Sequence, residues 1–276
     1  MNNTQLPLTR DLVLIGGGHT HALVLRKWGM NPLVGVRLTV INPGPTAPYS
    51  GMLPGFVAGH YTRDELDIDL VKLCRFAGAR LILGAADGVD RAAKTVSVAG
   101  RPPIAFDVLS IDVGITSAMP ALSGFADHGT PAKPLGPFAS KWEHYRSTAK
   151  SPKVAVIGGG VAGAELAMAM RHSLDADATV HLIDRDDVLG DLGTTVRAKM
   201  RAALDSNDVQ VVEQADVARV DQMGVQLGDG RHITAGFVTG AAGAKPHDWQ
   251  ADIGVTLHDR FVTIGPTLQS SDPAIF

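Results

Sequence analysis

The residues best equipped for chemistry lie between Lys153 and Asp184, in KVAVIGGGVAGAELAMAMRHSLDADATVHLID. Val154–Ile157 is a short apolar run suited to a buried parallel strand. Gly158, Gly160 and Gly163 follow in the spacing G-x-G-x-x-G. In such a turn the first glycine permits a tight bend and the second lets backbone approach a pyrophosphate. The third lets a helix pack closely on the strand. Val161 and Ala162 open that helix, whose free N–H groups and positive dipole end attract phosphate. Val180–Ile183 reads as the next strand, and Asp184 ends it, 21 positions after Gly163. A carboxylate at that distance accepts both ribose hydroxyls of an NAD-type nucleotide. A lone glycine turn would imply no more than a tight strand–helix connection; the flanking strand, helix and acid point to a dinucleotide. Arg185 follows the acid and could tolerate a 2′-phosphate, but Asp184 favours a free 2′-hydroxyl, so NADH is expected over NADPH.

A second copy stands upstream. Asp11–Ile15 reads as a strand and runs into IGGGHTHALVLRKWG. Gly16 and Gly18 fill the first two glycine positions; His19 lies just beyond them, and the third glycine position holds His21. Val36–Ile41 is the next strand, and Asn42 ends it, 21 positions after His21. Asn can hydrogen-bond a ribose hydroxyl, though without charge assistance. Each half then continues through a helix, a strand, a meander and a last strand ending near glycine, Gly114 in the first half and Gly240 in the second. Two copies of one nucleotide-binding plan form an internal repeat.

The elements that must position these residues follow from the pattern between the copies. NPGPTAPYSGMLPGFVAGHYTRDEL is dense in Pro, Gly and Ser, and reads as a loop rather than an element. Placed directly after the ribose strand, it is expected to fold over a bound nucleotide. Tyr49 and Met52 would then supply apolar surface, and Ser50 and Gly51 backbone donors; a plain surface excursion is the other reading. Arg63–Ala77 suggests one helix, with Leu66, Leu70, Leu73 and Ala77 on one face. A β-meander is expected over 85–106, with turns at Asp87-Gly88 and Gly100-Arg101. Residues 116–150 read as a connector ending in a short helix. The expected class is therefore α/β, with two Rossmann-like domains, each a parallel sheet with helices and a β-meander, the second inserted in the first.

Composition narrows the function classes. The chain of 276 residues has 45% apolar and 19% charged residues, an ordinary globular balance. A net charge of −3 gives no reason to propose nucleic acid or an anionic membrane surface as a partner. No apolar run approaches the length of a membrane span, and residues 1–10 read as a loose leader without an apolar signal region. A cytoplasmic location is the expectation. Cys74 is the single cysteine, which removes any intrachain disulfide or C-x-x-C pair. It falls in a helical apolar pattern and reads as a core residue rather than a reactive thiol. The ten histidines are scattered, with His19 and His21 only two apart, so no metal site is expected.

Two dinucleotide sites imply a pair of dinucleotides with chemistry in common. A flavin and a nicotinamide dinucleotide have it, hydride passing between their rings, whereas two NAD molecules do not. The sequence accordingly resembles the two-dinucleotide flavoproteins, the pyridine nucleotide-disulfide oxidoreductase superfamily. LVLIGGGHTHALVLR, FDVLSIDVG, KVAVIGGGVAGAELA and FVTGAAGAKP with IGPTLQSSDPAIF carry the likeness. Within it, IGGGHTH, PYSGMLPGFVAGHY and KPLGPFASKWE are similar to the flavoprotein module fused to selenide, water dikinase, and that module to type II NADH dehydrogenases.

The resemblance implies FAD at the first turn and NAD(P)H at the second. Residues 1–116 and 239–276 would bind FAD, and residues 117–238 NAD(P)H. It implies hydride transfer from NADH to FAD and on to a small-molecule or protein acceptor, such as a quinone, without a redox disulfide. Glu165 would face the reacting rings; a carboxylate stabilised by the helix dipole is the other reading. Lys133 would sit near the flavin; a solvated lysine is the other reading. Superfamily members continue into an Ala-Gly-Asp segment and a C-terminal interface domain. This chain ends at Phe276 before both. The interface domain is therefore expected to be absent and the FAD domain truncated; peripheral membrane contact would run only through that missing segment, and a homodimer is a candidate assembly. A non-catalytic nucleotide-binding or sensor module, including an accessory in selenium metabolism, is the competing class.

Overall fold

A computed structural model describes residues 7–276. The leader expected over residues 1–10 lies outside the described residues at 1–6, and Arg10 already begins a strand. The chain groups into two compact units. The first holds residues up to Tyr49, Asp67–Gly114 and Pro246–Phe276; the second holds Ser50–Leu66 and Ile115–Lys245. The fold is α/β with a parallel sheet in each unit.

In the first unit, β1 (Arg10–Ile15) leads through Gly16–Gly18 into α1 (His19–Met30) and β2 (Val36–Asn42). Helix α2 (Leu70–Ala77) and β3 (Arg80–Leu83) follow. A meander comes next: β4 (Ala86–Asp90), β5 (Thr95–Val98) and β6 (Ile104–Ala105). The last strand of the sheet is β7 (Val108–Ile111). The parallel order is β3-β2-β1-β7. Val13, Ile15, Ile41 and Leu109 bury one face of this sheet, and Leu14, Leu38 and Val40 the other. Burial on both faces explains the apolar run Leu12–Ile15 in β1. The chain's last residues lie along β7: Leu109 donates to Ala274 and Phe276 to Leu109, at 2.8 and 2.9 Å.

The second unit repeats the plan. It contains β8 (Gly129–Pro131), α3 (Leu135–Thr148), β9 (Lys153–Ile157), α4 (Val161–Ser173) and β10 (Thr179–Ile183). Then come α5 (Thr194–Ser206), β11 (Val209–Val212), the meander β12 (Val217–Asp221), β13 (Gly224–Leu227) and β14 (His232–Thr234), and β15 (Phe237–Gly240). Its five-stranded parallel sheet runs β8-β15-β9-β10-β11.

Several expectations are corrected. The helix expected over 63–77 breaks into a turn at Arg63–Leu66, a short strand at Asp67–Asp69, and α2. Asp69 caps the new helix, its carboxylate accepting from the Lys72 amide at 2.9 Å, and Gly78 closes it in the left-handed conformation. Asp87-Gly88 is not a turn: it lies within β4, where the pairing register shifts at a bulge. The connector contributes β8, an edge strand of the second sheet. The loop expected over 42–66 carries a short helix at Leu53–Val57, with Pro54 in its first turn. Leu53, Phe56 and Val57, at helical spacing, are buried in the core of the second unit, beside Trp142 and Phe138.

Candidate nucleotide sites

At the second turn Gly158 adopts a φ of +110°, a conformation that favours glycine. A side chain at Gly163 would run into the Gly158 carbonyl, so α4 lies directly on the turn. Gly160 has nothing within 4 Å of where a Cβ would stand. It caps α4 in extended backbone with no side chain capping it and no acid in the first turn. The first amides of α4 therefore face open space, the arrangement that receives phosphate oxygens. A cavity of about 920 Å³ lies over this turn, bordered by Gly158–Val161, Asp184–Asp187 and Gln214–Val217.

Asp184 is half-buried at the end of β10. Its carboxylate accepts from the Gly159 amide and, at 2.8 Å, from the Asp186 amide. Lone pairs remain for ribose hydroxyls, since a carboxylate offers about four acceptor sites. Arg185 is exposed and pairs with Asp186 at 3.1 Å. The loop after Asp184 is held from α5 and β11. Arg201 grips Glu213, which accepts from the Val188 amide at 2.7 Å, and Arg197 meets Asp187 at 3.1 Å. The hydrogen bond from Arg201 holds the Glu213 carboxyl below its usual range. Sequence reasoning missed this bracket, because its members are scattered over three elements.

The first turn differs in its details. Gly16 has a φ of +93°, and a side chain there would collide with the backbone of Asp112. Asn42 accepts from the Gly17 amide at 2.9 Å and donates to the Gly44 and Thr46 carbonyls at 2.8 and 3.2 Å. His21 is buried, and both ring nitrogens meet protein atoms: Nδ1 lies 2.7 Å from the Gly16 carbonyl and Nε2 2.9 Å from Ser110 Oγ. Burial drives its pKa down, against the opposing pull of the Gly16 carbonyl and Asp112. Position 21 thus braces the turn through its ring, where position 163 packs bare backbone. His19 is exposed at the start of α1, its ring centroid 5.6 Å from that of Tyr49.

The remaining expected residues are distributed as follows. Tyr49 belongs to the first unit, whereas Ser50, Gly51 and Met52 form a 3-10 turn of the second. Gly114 has a φ of +69°, but its counterpart is Gly243, also at +69°. Registers decide this: Ile15 pairs with Ile111 and Ile157 with Gly240, so Gly240 matches Ile111 and Gly243 matches Gly114. Glu165 is exposed on α4, beyond the first turn, where dipole stabilisation has faded. Lys133 is half-buried just before α3, and burial lowers its pKa. His60 and His172 are not scattered: their ring centroids lie 5.1 Å apart. Among the described residues no group of three or more His, Cys, Asp or Glu is placed to hold a metal ion.

The sequence profile of the pyridine nucleotide-disulphide oxidoreductases matches residues 10–276. The chain belongs to that family. It is similar to the NADH dehydrogenase-like protein YutJ of Bacillus subtilis (strain 168), 23% identical over 252 residues that span 89% of this chain and 68% of that protein. Its fold is shared with reduced CoADR-RHD of Bacillus anthracis at a TM-score of 0.84 and 19% identity, covering 97% of this chain and 50% of that one. It is also shared with an NAD-dependent persulfide reductase from A. fulgidus at a TM-score of 0.81 and 22% identity, covering 96% and 52%. The chain thus spans about half the length of these two structures. A water-forming NADH oxidase from Lactobacillus brevis, bound to NADH, matches at 0.79 and 19% identity, covering 97% and 61%.

The family implies a flavin dinucleotide, which the geometry of the first turn tests. The glycine backbone fits a pyrophosphate, and the space before the first amides of α1 is open to one only when the Asp112 side chain turns away. The Asp112 carboxylate stands where a Cβ of Gly18 would go and accepts from the His21 amide at 3.3 Å. No described helix is long and apolar enough to cross a membrane.

Proposed function

We propose that this chain is the nucleotide-binding portion of an NAD(P)H oxidoreductase that takes NADH at its second glycine turn. The observation that carries the reading is the open N-terminus of α4 beneath a cavity of about 920 Å³ that Asp184 borders. The amides after Gly160 would receive the pyrophosphate, and Asp184 the adenosine ribose hydroxyls. NADH is favoured because Asp184, Asp186 and Asp187 border the same cavity and repel a 2′-phosphate, while Arg185 is already paired with Asp186. The NADH dehydrogenase-like relative and the NADH-bound oxidase support the choice of nucleotide.

Lys133 and Glu165 are the side chains proposed for the reacting end. Lys133 is half-buried with its charge partly desolvated, and Glu165 is exposed on the helix that begins at the turn. FAD is assigned to the first turn on the family's pattern; when bound, it would supply a ring that accepts hydride. The final acceptor is proposed to be a quinone, another small molecule or a redox protein. A putidaredoxin reductase in covalent complex with putidaredoxin, sharing the fold at a TM-score of 0.81, supports the last class. The likeness of IGGGHTH and its companions to the module fused to selenide, water dikinase makes selenium metabolism one setting for this chemistry.

Calorimetric titration of the purified chain with NADH and NADPH tests the reading. Tighter binding of NADH is expected, and absence of binding by either nucleotide would reject it. A non-catalytic nucleotide sensor is the second reading, favoured by the Asp112 carboxylate at the first turn. Anaerobic NADH added to chain supplied with FAD separates the two. Bleaching of the flavin band supports the oxidoreductase, and NADH binding without bleaching supports the sensor.

A further inference from the structure

We infer that Asp112 controls access to the first glycine turn, its carboxylate holding the seat that a dinucleotide pyrophosphate must take. The inference rests on the reading that this turn receives FAD. The repeat supplies the internal comparison. Asp112 donates its backbone N–H to the Ile15 carbonyl at 2.8 Å, and Ala241 donates to the Ile157 carbonyl at 2.9 Å. The two residues therefore occupy one register position in the two copies. In the second copy that position ends in a methyl group, and Gly160 faces open space. In the first it carries a carboxylate, which lies where a Gly18 side chain would be and takes the His21 amide at 3.3 Å.

The consequence is electrostatic and steric at once. Phosphate oxygens at a helix N-terminus use its first amides, and here one of them is already bonded to an anion. A pyrophosphate brought to the same place would meet a like charge at short range in partly desolvated surroundings. The backbone of Asp112 is fixed by its bond to Ile15, so the seat is freed only when the side chain turns away. Asp112 is half-buried, which leaves its side chain a route to solvent. A neutral side chain at position 112, whether smaller or of equal size, should therefore admit FAD more readily than the native one.

The test is FAD binding to the full chain, followed by quenching of FAD fluorescence, for the native protein, Asp112→Ala and Asp112→Asn. Far-UV circular dichroism verifies folding. Asp112→Asn keeps an acceptor for the His21 amide and decides the matter if Asp112→Ala does not fold. Binding about tenfold tighter in the variants is expected, a difference of the size that a removed close like charge produces. Tighter binding by the variants supports the inference, including the case in which the native chain binds no FAD. Native binding that is matched or lost in the folded variants overturns it and leaves the FAD assignment standing. Absence of FAD binding by every folded form overturns both.

Discussion

Asn42 and Asp184 stand at one position in the two copies, each ending the strand after its helix and each accepting the amide of the middle glycine of its turn. Asn42 takes Gly17 at 2.9 Å, and Asp184 takes Gly159. An amide can therefore brace the turn as a carboxylate does. This separates the structural duty of position 184 from its proposed duty toward ribose.

Asp184→Asn should keep the turn intact, as Asn42 does in the first copy. It should weaken NADH binding by about tenfold through loss of charge-assisted hydrogen bonds, while affecting NADPH less. Calorimetry with both nucleotides checks this; an equal loss for each would show that Asp184 does not read the 2′ position.

Gly163→Ala should be costly, because the added methyl meets the Gly158 carbonyl. Overpacking of this kind costs about 1–3 kcal/mol. Urea denaturation should show a lowered midpoint, and NADH affinity should fall as α4 is pushed off the turn. An unchanged midpoint would mean that the helix shifts freely.

Stability should fall on acidification below about pH 6.5. Burial depresses the pKa of His21, and that of His181, below the ordinary value of 6.5. The folded chain then binds fewer protons than the unfolded one as pH drops through that value, so proton uptake favours unfolding. Stability from these groups is complete above pH 6.5 and is lost as pH falls toward their folded-state values. His21→Gln should flatten the slope of midpoint against pH between 5 and 7. A slope equal to that of the native chain would assign the effect elsewhere.

Cys74 should be silent toward thiol reagents in the native state. It is buried in α2, and burial pushes its pKa to about 11. Little thiolate exists at pH 8, and the reagent has no path to it. Labelling should appear only with denaturation, at the same urea concentration as the loss of helix signal. Fast labelling of the folded chain would contradict the buried placement.

The glycine turns, their strands and the acid at position 184 were legible because they are local. Gly158, Gly160, Gly163 and Asp184 lie within one strand–helix–strand unit, and each residue type answers to a backbone or bonding need inside that unit. The β-meanders and the division into two repeats were legible for the same reason. Asp69 marks the limit: its capping bond splits a run of apolar residues that reads as one helix.

Tertiary structure alone decided what depends on residues far apart in the chain. Gly243, not Gly240, matches Gly114 because strand register, not spacing, sets the correspondence. His21 replaces a glycine because its ring can reach Ser110, 89 positions away. The segment 50–66 joins the second unit because Leu53, Phe56 and Val57 bury their side chains there. Asp112 faces the N-terminus of α1 because β7 lies beside β1, and no local rule places a carboxylate 91 positions downstream against the His21 amide. The sequence by itself determined which local frames form and what chemistry they suit. Packing between distant segments decided which of their amides stand open to a nucleotide.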